Sequence, residues 1–183
     1  MSDSSLVDFS KQTPLSTLHL EFVPLDMVMH WHRCGLAADY FAAHLAYAFE
    51  HRDTVRPILS TVINELLENA AKFAGDKSGT ASITVRHYGD LIAIETRNHA
   101  DKRRADGICN LFDELANAPV EELFLARISG TAEAEGSSSG LGLLVLKKDY
   151  GVRLGARIAA LAEGTGFDVT VQAVLRTDEL EER

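Results

Sequence analysis

The sequence predicts a single α+β domain in which one sheet is covered by one layer of helices. Two kinds of hydrophobic spacing alternate along the chain. In some short stretches every second residue is apolar, as in half-buried strands, and in longer stretches apolar residues recur with helical spacing. The predicted order is strand, helix, helix, two strands, a long loop, a helix and two strands. Because helices interrupt an antiparallel set of strands, a two-layer sandwich is expected.

Composition and charge narrow the class of protein. Of 183 residues, 46% are hydrophobic and 25% are charged, which is typical of a globular chain. The net charge of −9 argues against a nucleic-acid partner, although a nucleotide needs only local positive charge. The polar N-terminus is not a signal peptide, and no apolar run approaches the ~20 residues of a membrane span. The two cysteines are too few for a disulfide framework, so we expect a cytoplasmic protein without a membrane partner.

The first half of the chain contains one predicted strand and two predicted helices. Apolar and polar residues alternate within Thr17–Val23, which indicates a half-buried strand. Helical spacing then predicts an amphipathic helix from about 35 to 51. A second helix begins at Asp53 or Thr54, either of which can cap it, and ends at Phe73.

The second half contains two predicted hairpins and two predicted helices. Its elements are the strands Ala81–His87 and Leu91–Arg97, the helices Val120–Ile128 and Leu141–Asp149, and the strands Ala156–Ala162 and Phe167–Leu175. A run of small residues before Leu141 is expected to be mobile. The chain shows no internal repeat, so we expect one domain over residues 17–177, a flexible arm at 1–16 and a solvated or frayed acidic tail at 178–183.

Three polar residues of the second helix carry the first functional signal. Glu65, Asn69 and Lys72 are spaced i, i+4 and i+7, so they share one narrow helix face. Asn69 can offer an amide oxygen to Mg²⁺, which prefers oxygen ligands. Glu65 can orient or deprotonate an attacking hydroxyl, and Lys72 can offset phosphate charge. From spacing alone, the same pattern also fits a solvated stripe of paired side chains.

The second signal is a glycine-rich segment that leads directly into a helix. In the sequence GSSSGLGLL, Gly140 and Gly142 allow close backbone approach at a helix start, where N–H groups and the helix dipole attract anions. Neither a P-loop lysine nor a preceding strand accompanies the glycines, so the two common phosphate-binding fingerprints are excluded. A flexible loop with a glycine at the helix start remains the alternative.

Together, ELLENAAKF at 65–73 and GLGL at 140–143 resemble the GHKL family, whose members share the Bergerat ATP-binding fold. The resemblance covers roughly residues 54–175 and is nearest to histidine kinases and anti-sigma-factor serine kinases. It implies a Bergerat-type sandwich of a mixed, mostly antiparallel sheet and a helical layer, with a long mobile ATP lid at about 101–139. It also implies ATP and Mg²⁺ as cofactors, Glu65 as the catalytic carboxylate and Asn69 as the metal ligand. The implied nucleotide-binding residues are Asn69, Lys72, Asn98, Gly140, Leu141, Gly142 and Leu143.

The sequence departs from the family pattern at the adenine-binding box. The family has Asp-x-Gly-x-Gly there, whereas this chain has Asn98 in place of the Asp and Ala100 in place of the first Gly. An amide oxygen still accepts a hydrogen bond from the adenine amino group, although more weakly than a carboxylate does. Asp101 or Asp106 is an alternative acceptor.

The resemblance implies a stand-alone kinase that phosphorylates serine or threonine on a small regulatory partner, because no phosphoacceptor, sensor or transducer domain is evident. The expected partner has a sulfate-transporter/anti-sigma-antagonist fold, within a bacterial partner-switching or signalling module. A homodimer through the N-terminal region is also expected. Two alternatives remain open: a regulatory module that binds a partner without chemistry, with or without nucleotide, and the catalytic domain of a split histidine kinase.

Overall fold

The computed structural model describes residues 3–4, 6–129, 140–162 and 166–182. Its centre is a six-stranded sheet in the order β1-β5-β6-β4-β3-β2, and every pairing within the described residues is antiparallel. The strands are β1 (Asp3–Ser4), β2 (Ser16–Phe22), β3 (Ala81–His87), β4 (Leu91–Ala100), β5 (Arg153–Ala160) and β6 (Phe167–Arg176).

The two faces of the sheet differ in polarity because side chains alternate along each strand. On the inner face, which the helices cover, Ile83, Ile94 and Val171 belong to the buried core. On the outer face, Glu95 of β4 lies opposite Gln172 of β6, and Arg97 forms an ion pair with Asp168. The alternation therefore directs the main hydrophobic core to the side of the sheet that the helices cover.

Helices form the second layer. They are α1 (Pro24–Met29), α2 (His32–Ala46), α3 (Arg52–Phe73), α4 (Lys102–Asn117), α5 (Val120–Ile128), α6 (Leu141–Tyr150) and α7 (Thr177–Glu181). The 22-residue α3 is the central helix, with Leu59, Ile63, Leu66 and Leu67 fully buried. None of the described helices has the length and apolar character needed to cross a membrane.

The predicted two-layer α+β sandwich is confirmed, and the strand Ala81–His87 is found with its predicted bounds. The main error lies between 98 and 139, where only one helix was expected. The 16-residue α4 precedes α5 there, with Ala105, Ile108, Phe112 and Leu115 buried at helical spacing. The Asp101 side chain caps α4 by accepting a hydrogen bond from the Arg104 backbone N–H, at 2.9 Å. The run of small residues predicted to be mobile lies almost entirely outside the described residues.

Both chain ends are more structured than the sequence predicts. β1 pairs with β5, and residues near the N-terminus lie against the outer face of the sheet, where the Phe9 and Tyr88 rings stack 4.7 Å apart. Near the C-terminus, where a solvated or frayed end was expected, residues 177–181 form α7, and Leu180 is only 2% exposed. The Glu50 backbone N–H also donates a hydrogen bond of 3.0 Å to Glu181 Oε1, so both burial and hydrogen bonding hold this acidic helix against the domain.

Candidate functional site

The polar face of α3 forms one side of the candidate site. Glu65 and Asn69 are partly buried, whereas Lys72, a further turn along, is exposed. The residues between them, including Leu66, Leu67 and Ala70, are buried in the core. The core packing of these apolar residues determines the rotation of α3, so the three polar side chains share the remaining face, as the spacing predicts.

The start of α6 meets α3 at Glu65. A Cβ atom built on Gly142 would lie 1.9 Å from Glu65 Oε2 and 2.7 Å from its Cδ. The carboxylate therefore lies directly against the Gly142 backbone, in space that any other residue would occupy. This contact joins the two motifs that the sequence analysis singled out.

Gly140 has a different structural role from Gly142. It is the N-cap of α6 and has a φ of 60°, in the left-handed region that favours glycine. A Cβ atom there would lie 2.8 Å from Leu111 Cδ1 and 3.0 Å from Arg127 Nη1. Gly140 thus allows α4 and α5 to approach the start of α6 closely. Of the two leucines that flank Gly142, Leu141 is partly buried and Leu143 is a core residue.

Burial raises the pKa of the Glu65 carboxyl above its ordinary value. The nearby Glu68 raises the pKa further, and Lys72 lowers it by a smaller amount. Glu68 is itself held in place, because its Oε1 accepts a hydrogen bond of 2.8 Å from Asn64 Nδ2. A carboxylate with a raised pKa is a better proton acceptor near neutral pH, as a general base requires.

Asn98 lies inside β4, which continues to Ala100. Its side chain is on the inner face of the sheet, 3% exposed, opposite Val169 of β6. Its Nδ2 makes only a long hydrogen bond of 3.5 Å to the His99 carbonyl. The end of α3 is tied to this region, since the Gly75 N–H donates to the same carbonyl at 2.7 Å. Asn98 is thus a buried amide beside the C-terminal end of the helix that carries Glu65.

Three charged residues near these elements were not predicted from the sequence. Glu68 perturbs Glu65, as described above, and Arg127 lies beside Gly140 and pairs with Glu114. Lys77 donates from Nζ to the carbonyls of Ala71 and Lys72, at 2.5 and 2.6 Å, and so caps the C-terminal end of α3. A lysine just after a predicted helix end was an available signal for this cap. The position of Arg127 depends on α4 and α5 and had no such signal.

The structure therefore brings Glu65 and Gly142 into contact and places Asn69 and Lys72 on the same face of α3. Gly140, Leu141 and Leu143 adjoin this contact at the start of α6, whereas Asn98 stands apart on β4. Within the described residues, no group of three or more His, Cys, Asp or Glu side chains is arranged to hold a metal ion.

Comparison with known proteins identifies the family of the chain and a solved structure of similar fold. A search of curated proteins found no match. One chain in the crystal structure of the SiaB–SiaC complex from Pseudomonas aeruginosa has a similar fold, with a TM-score of 0.61 and 16% identity over 91% of this chain and 94% of that chain. The model of the histidine kinase-, DNA gyrase B- and HSP90-like ATPases matches residues 54–177, which include both motifs. The chain therefore belongs to the family of histidine kinase-, DNA gyrase B- and HSP90-like ATPases, the GHKL proteins.

Proposed function

We propose that this protein is an ATP-dependent kinase that phosphorylates serine or threonine on a small regulatory protein of a bacterial partner-switching or signalling module. The observation that supports this most directly is the contact between Glu65 and Gly142. It places a carboxylate of raised pKa against the start of a helix, where backbone N–H groups attract phosphate. A proton acceptor beside a phosphate-binding helix start is the arrangement that phosphoryl transfer needs.

The residues at the site fit Mg²⁺ and ATP in chemical type. Asn69 offers an amide oxygen, which suits a hard cation that keeps most of its ligands as water and phosphate oxygens. Lys72 offers positive charge on the same face of α3. Residues 140–143 form the start of α6, where the positive end of the helix dipole favours a phosphate group. The side-chain oxygen of Asn98 would accept a hydrogen bond from the adenine amino group.

Bound ATP supplies the phosphoryl group, and the protein supplies position and charge. Glu65 accepts the proton of the attacking hydroxyl, and its raised pKa favours this transfer near neutral pH. Because Gly142 has no side chain, the carboxylate has room to lie against the start of α6. Lys72 offsets the charge of the transferred group as the bond to the leaving oxygen breaks.

The partner is proposed to be a small protein with an anti-sigma-antagonist-like fold. The similar chain was crystallised in a complex of two proteins, SiaB and SiaC, which supports a protein as the binding partner here. A homodimer of this chain is part of the same proposal.

Nucleotide binding is tested first, by thermal unfolding with ATP and Mg²⁺. Ligand at a hundred times its Kd adds about 2.7 kcal/mol, which corresponds to roughly 5–11 °C for a chain of this size. The increase should require Mg²⁺ and should be lost in Asn69→Ala. Asn110→Ala, which removes an exposed asparagine on α4, is the matched control and should behave as wild type. No increase at millimolar ATP would refute the nucleotide site.

Transfer is tested next, with labelled ATP and the proteins that co-purify with this chain. Acid-stable label on a partner, lost in Glu65→Ala, is the expected result. Acid-labile label would instead indicate phosphohistidine and a split histidine kinase. Transfer that survives Glu65→Ala would refute the role of Glu65.

The second candidate function is a regulatory module that binds a partner without transferring phosphate. Asn98 favours it, because the amide replaces the carboxylate that adenine recognition uses in the family. Two results would support this function over the kinase: partner binding that does not depend on Glu65, and a stoichiometric complex without label on either protein.

A further inference from the structure

The side chain of Asn98 has hydrogen-bonding capacity that the protein itself barely uses. It is 3% exposed and lies on the inner face of β4, opposite the buried Val169. Its Nδ2 donates only to the His99 carbonyl, at 3.5 Å, and among the described residues its Oδ1 has no hydrogen-bond partner. Every fully enclosed side-chain nitrogen or oxygen of the described residues has a partner, so Oδ1 must face accessible space. The amide is therefore nearly buried and still open to a ligand.

The backbone at Asn98 is fixed by the sheet and by the loop that follows α3. β4 pairs with β6 as far as Ala100, and the Gly75 N–H donates to the His99 carbonyl at 2.7 Å. A Cβ atom on Gly75 would lie 2.8 Å from the Asp101 backbone nitrogen, so this loop packs directly against the end of β4. The freedom that remains is rotation of the Asn98 amide, which exchanges its oxygen and its NH2 group.

The neighbouring polar side chain on this face of the strand is also uncharged. Thr96 precedes Asn98 by two residues, so both side chains are on the inner face, and Thr96 is 2% exposed. A hydroxyl, like an amide, can either donate or accept a hydrogen bond. The inner face of β4 therefore presents an amide and a hydroxyl but no carboxylate.

Purine bases differ in the group that they present at the 6-position. Adenine has an amino group there, which donates, whereas guanine and hypoxanthine have an oxygen, which accepts. An ionised carboxylate only accepts, so it binds the amino group and repels the 6-oxygen. An amide can turn its oxygen toward the amino group or its NH2 group toward the 6-oxygen. With Asn98 in place of the Asp, the group that would reject a 6-oxopurine is therefore absent from this position.

We propose that Asn98 sets the base specificity of the nucleotide site, and that the site binds purine nucleotides with a 6-oxo group as well as ATP. This rests on the proposed function in one respect, because it takes the base of the bound nucleotide to lie at Asn98. The preference for adenine narrows from both sides. The hydrogen bond to the amino group loses its charge assistance, which roughly halves its strength, and the 6-oxygen gains a donor.

Titration calorimetry of the full chain with Mg²⁺ and either ATP or inosine triphosphate tests the proposal. Inosine triphosphate is the probe because it has the 6-oxygen of guanine without the 2-amino group. Its Kd should lie within about fivefold of that for ATP, the smallest discrimination that one bidentate base contact gives. Binding of ATP without inosine triphosphate, or equally tight binding of inorganic tripolyphosphate, would overturn this inference and leave the kinase proposal standing. Binding of neither nucleotide would refute the nucleotide site and both proposals with it.

Two variants test whether Asn98 itself recognises the base. Asn98→Asp restores the carboxylate and, at about pH 8, should shift the ratio of the two affinities toward ATP by about 5–150-fold. Asn110→Asp, at an exposed position on α4, is the matched control and should leave the ratio unchanged. Asn98→Leu has a similar size without hydrogen-bonding groups and should weaken both nucleotides by a similar factor.

Circular dichroism and the Tm establish that each variant is folded. An affinity ratio that is the same in wild type and in folded Asn98→Asp would overturn the role of Asn98. If Asn98→Asp does not fold, Asn98→Leu decides, because unchanged affinities for both nucleotides in that variant would overturn the same role.

Discussion

Gly142→Ala tests the contact on which the candidate site depends. The new Cβ would lie 1.9 Å from Glu65 Oε2, whereas ordinary van der Waals contact begins near 3.4 Å. Since Gly142 is part of α6 and its backbone is held by the helix, the flexible Glu65 side chain must yield. The carboxylate must therefore retreat by about 1.5 Å, the difference between these two distances.

The expected effects on stability and on activity differ in size. Alanine gains roughly 1 kcal/mol over glycine within a helix, and overpacking costs about 1–3 kcal/mol, so the unfolding free energy should fall by about 0–2 kcal/mol. A misplacement of about 1 Å at a reacting group costs roughly 100-fold in rate. We therefore expect a folded protein whose phosphoryl transfer is slower by that order. The pKa of Glu65 should also fall toward its ordinary value, because the displaced carboxylate becomes more exposed to water.

Three measurements check these expectations: the rate of transfer from labelled ATP, urea unfolding, and titration of the Glu65 carboxyl by NMR. Gly107→Ala is the matched control, because Gly107 is also helical and a Cβ there would meet nothing within 4 Å. It should leave the rate unchanged and raise the Tm by roughly 2–4 °C. A Gly142→Ala variant with the wild-type rate and the wild-type Glu65 pKa would refute the claim that Gly142 positions the carboxylate.

Three further predictions concern other parts of the chain. Gln172→Ala should speed hydrogen exchange of the Val7 amide by about 5–30-fold. The reason is that the Gln172 side chain accepts a hydrogen bond from the Val7 N–H at 2.8 Å and donates one to the Val7 carbonyl at 3.2 Å. Gln12→Ala is the control, and an unchanged exchange rate in Gln172→Ala would contradict the prediction. In urea unfolding, the stability of Glu65→Gln relative to wild type should be greater at about pH 7 than at about pH 4. The folded state holds the proton of Glu65 more tightly than the unfolded state does, so ionisation of Glu65 as the pH rises lowers the stability of the wild type but not that of the variant. An equal difference in unfolding free energy between variant and wild type at both pH values would argue against burial of the carboxyl. Cys34 is fully buried, and its pKa is raised to about 11, mainly by burial. A thiol reagent near pH 8 should therefore modify only Cys109 in the folded protein. Rapid modification of the Cys109→Ser variant would count against this prediction.

The sequence predicted the sandwich because hydrophobic spacing is a local property. The alternation in Ala81–His87 gave a strand with the observed bounds, and helical spacing gave nearly all of α3. The helix α4 was missed because charged residues dominate its first turn and Gly107 interrupts it. Its buried face, with Ile108 and Phe112, becomes evident once α4 packs against the rest of the domain.

Part of the candidate site was likewise predictable from the sequence, and part of it was not. By itself, the sequence determined that Glu65, Asn69 and Lys72 share one face of a helix and that Gly140 and Gly142 stand at the start of another, because both follow from short-range helix geometry. Only the tertiary structure decided that Glu65 lies against Gly142, that Arg127 lies beside Gly140, and that Asn98 is enclosed within β4. These contacts join residues far apart in the chain. Their distances depend on how the sheet and the helices pack as a whole, which no local pattern encodes.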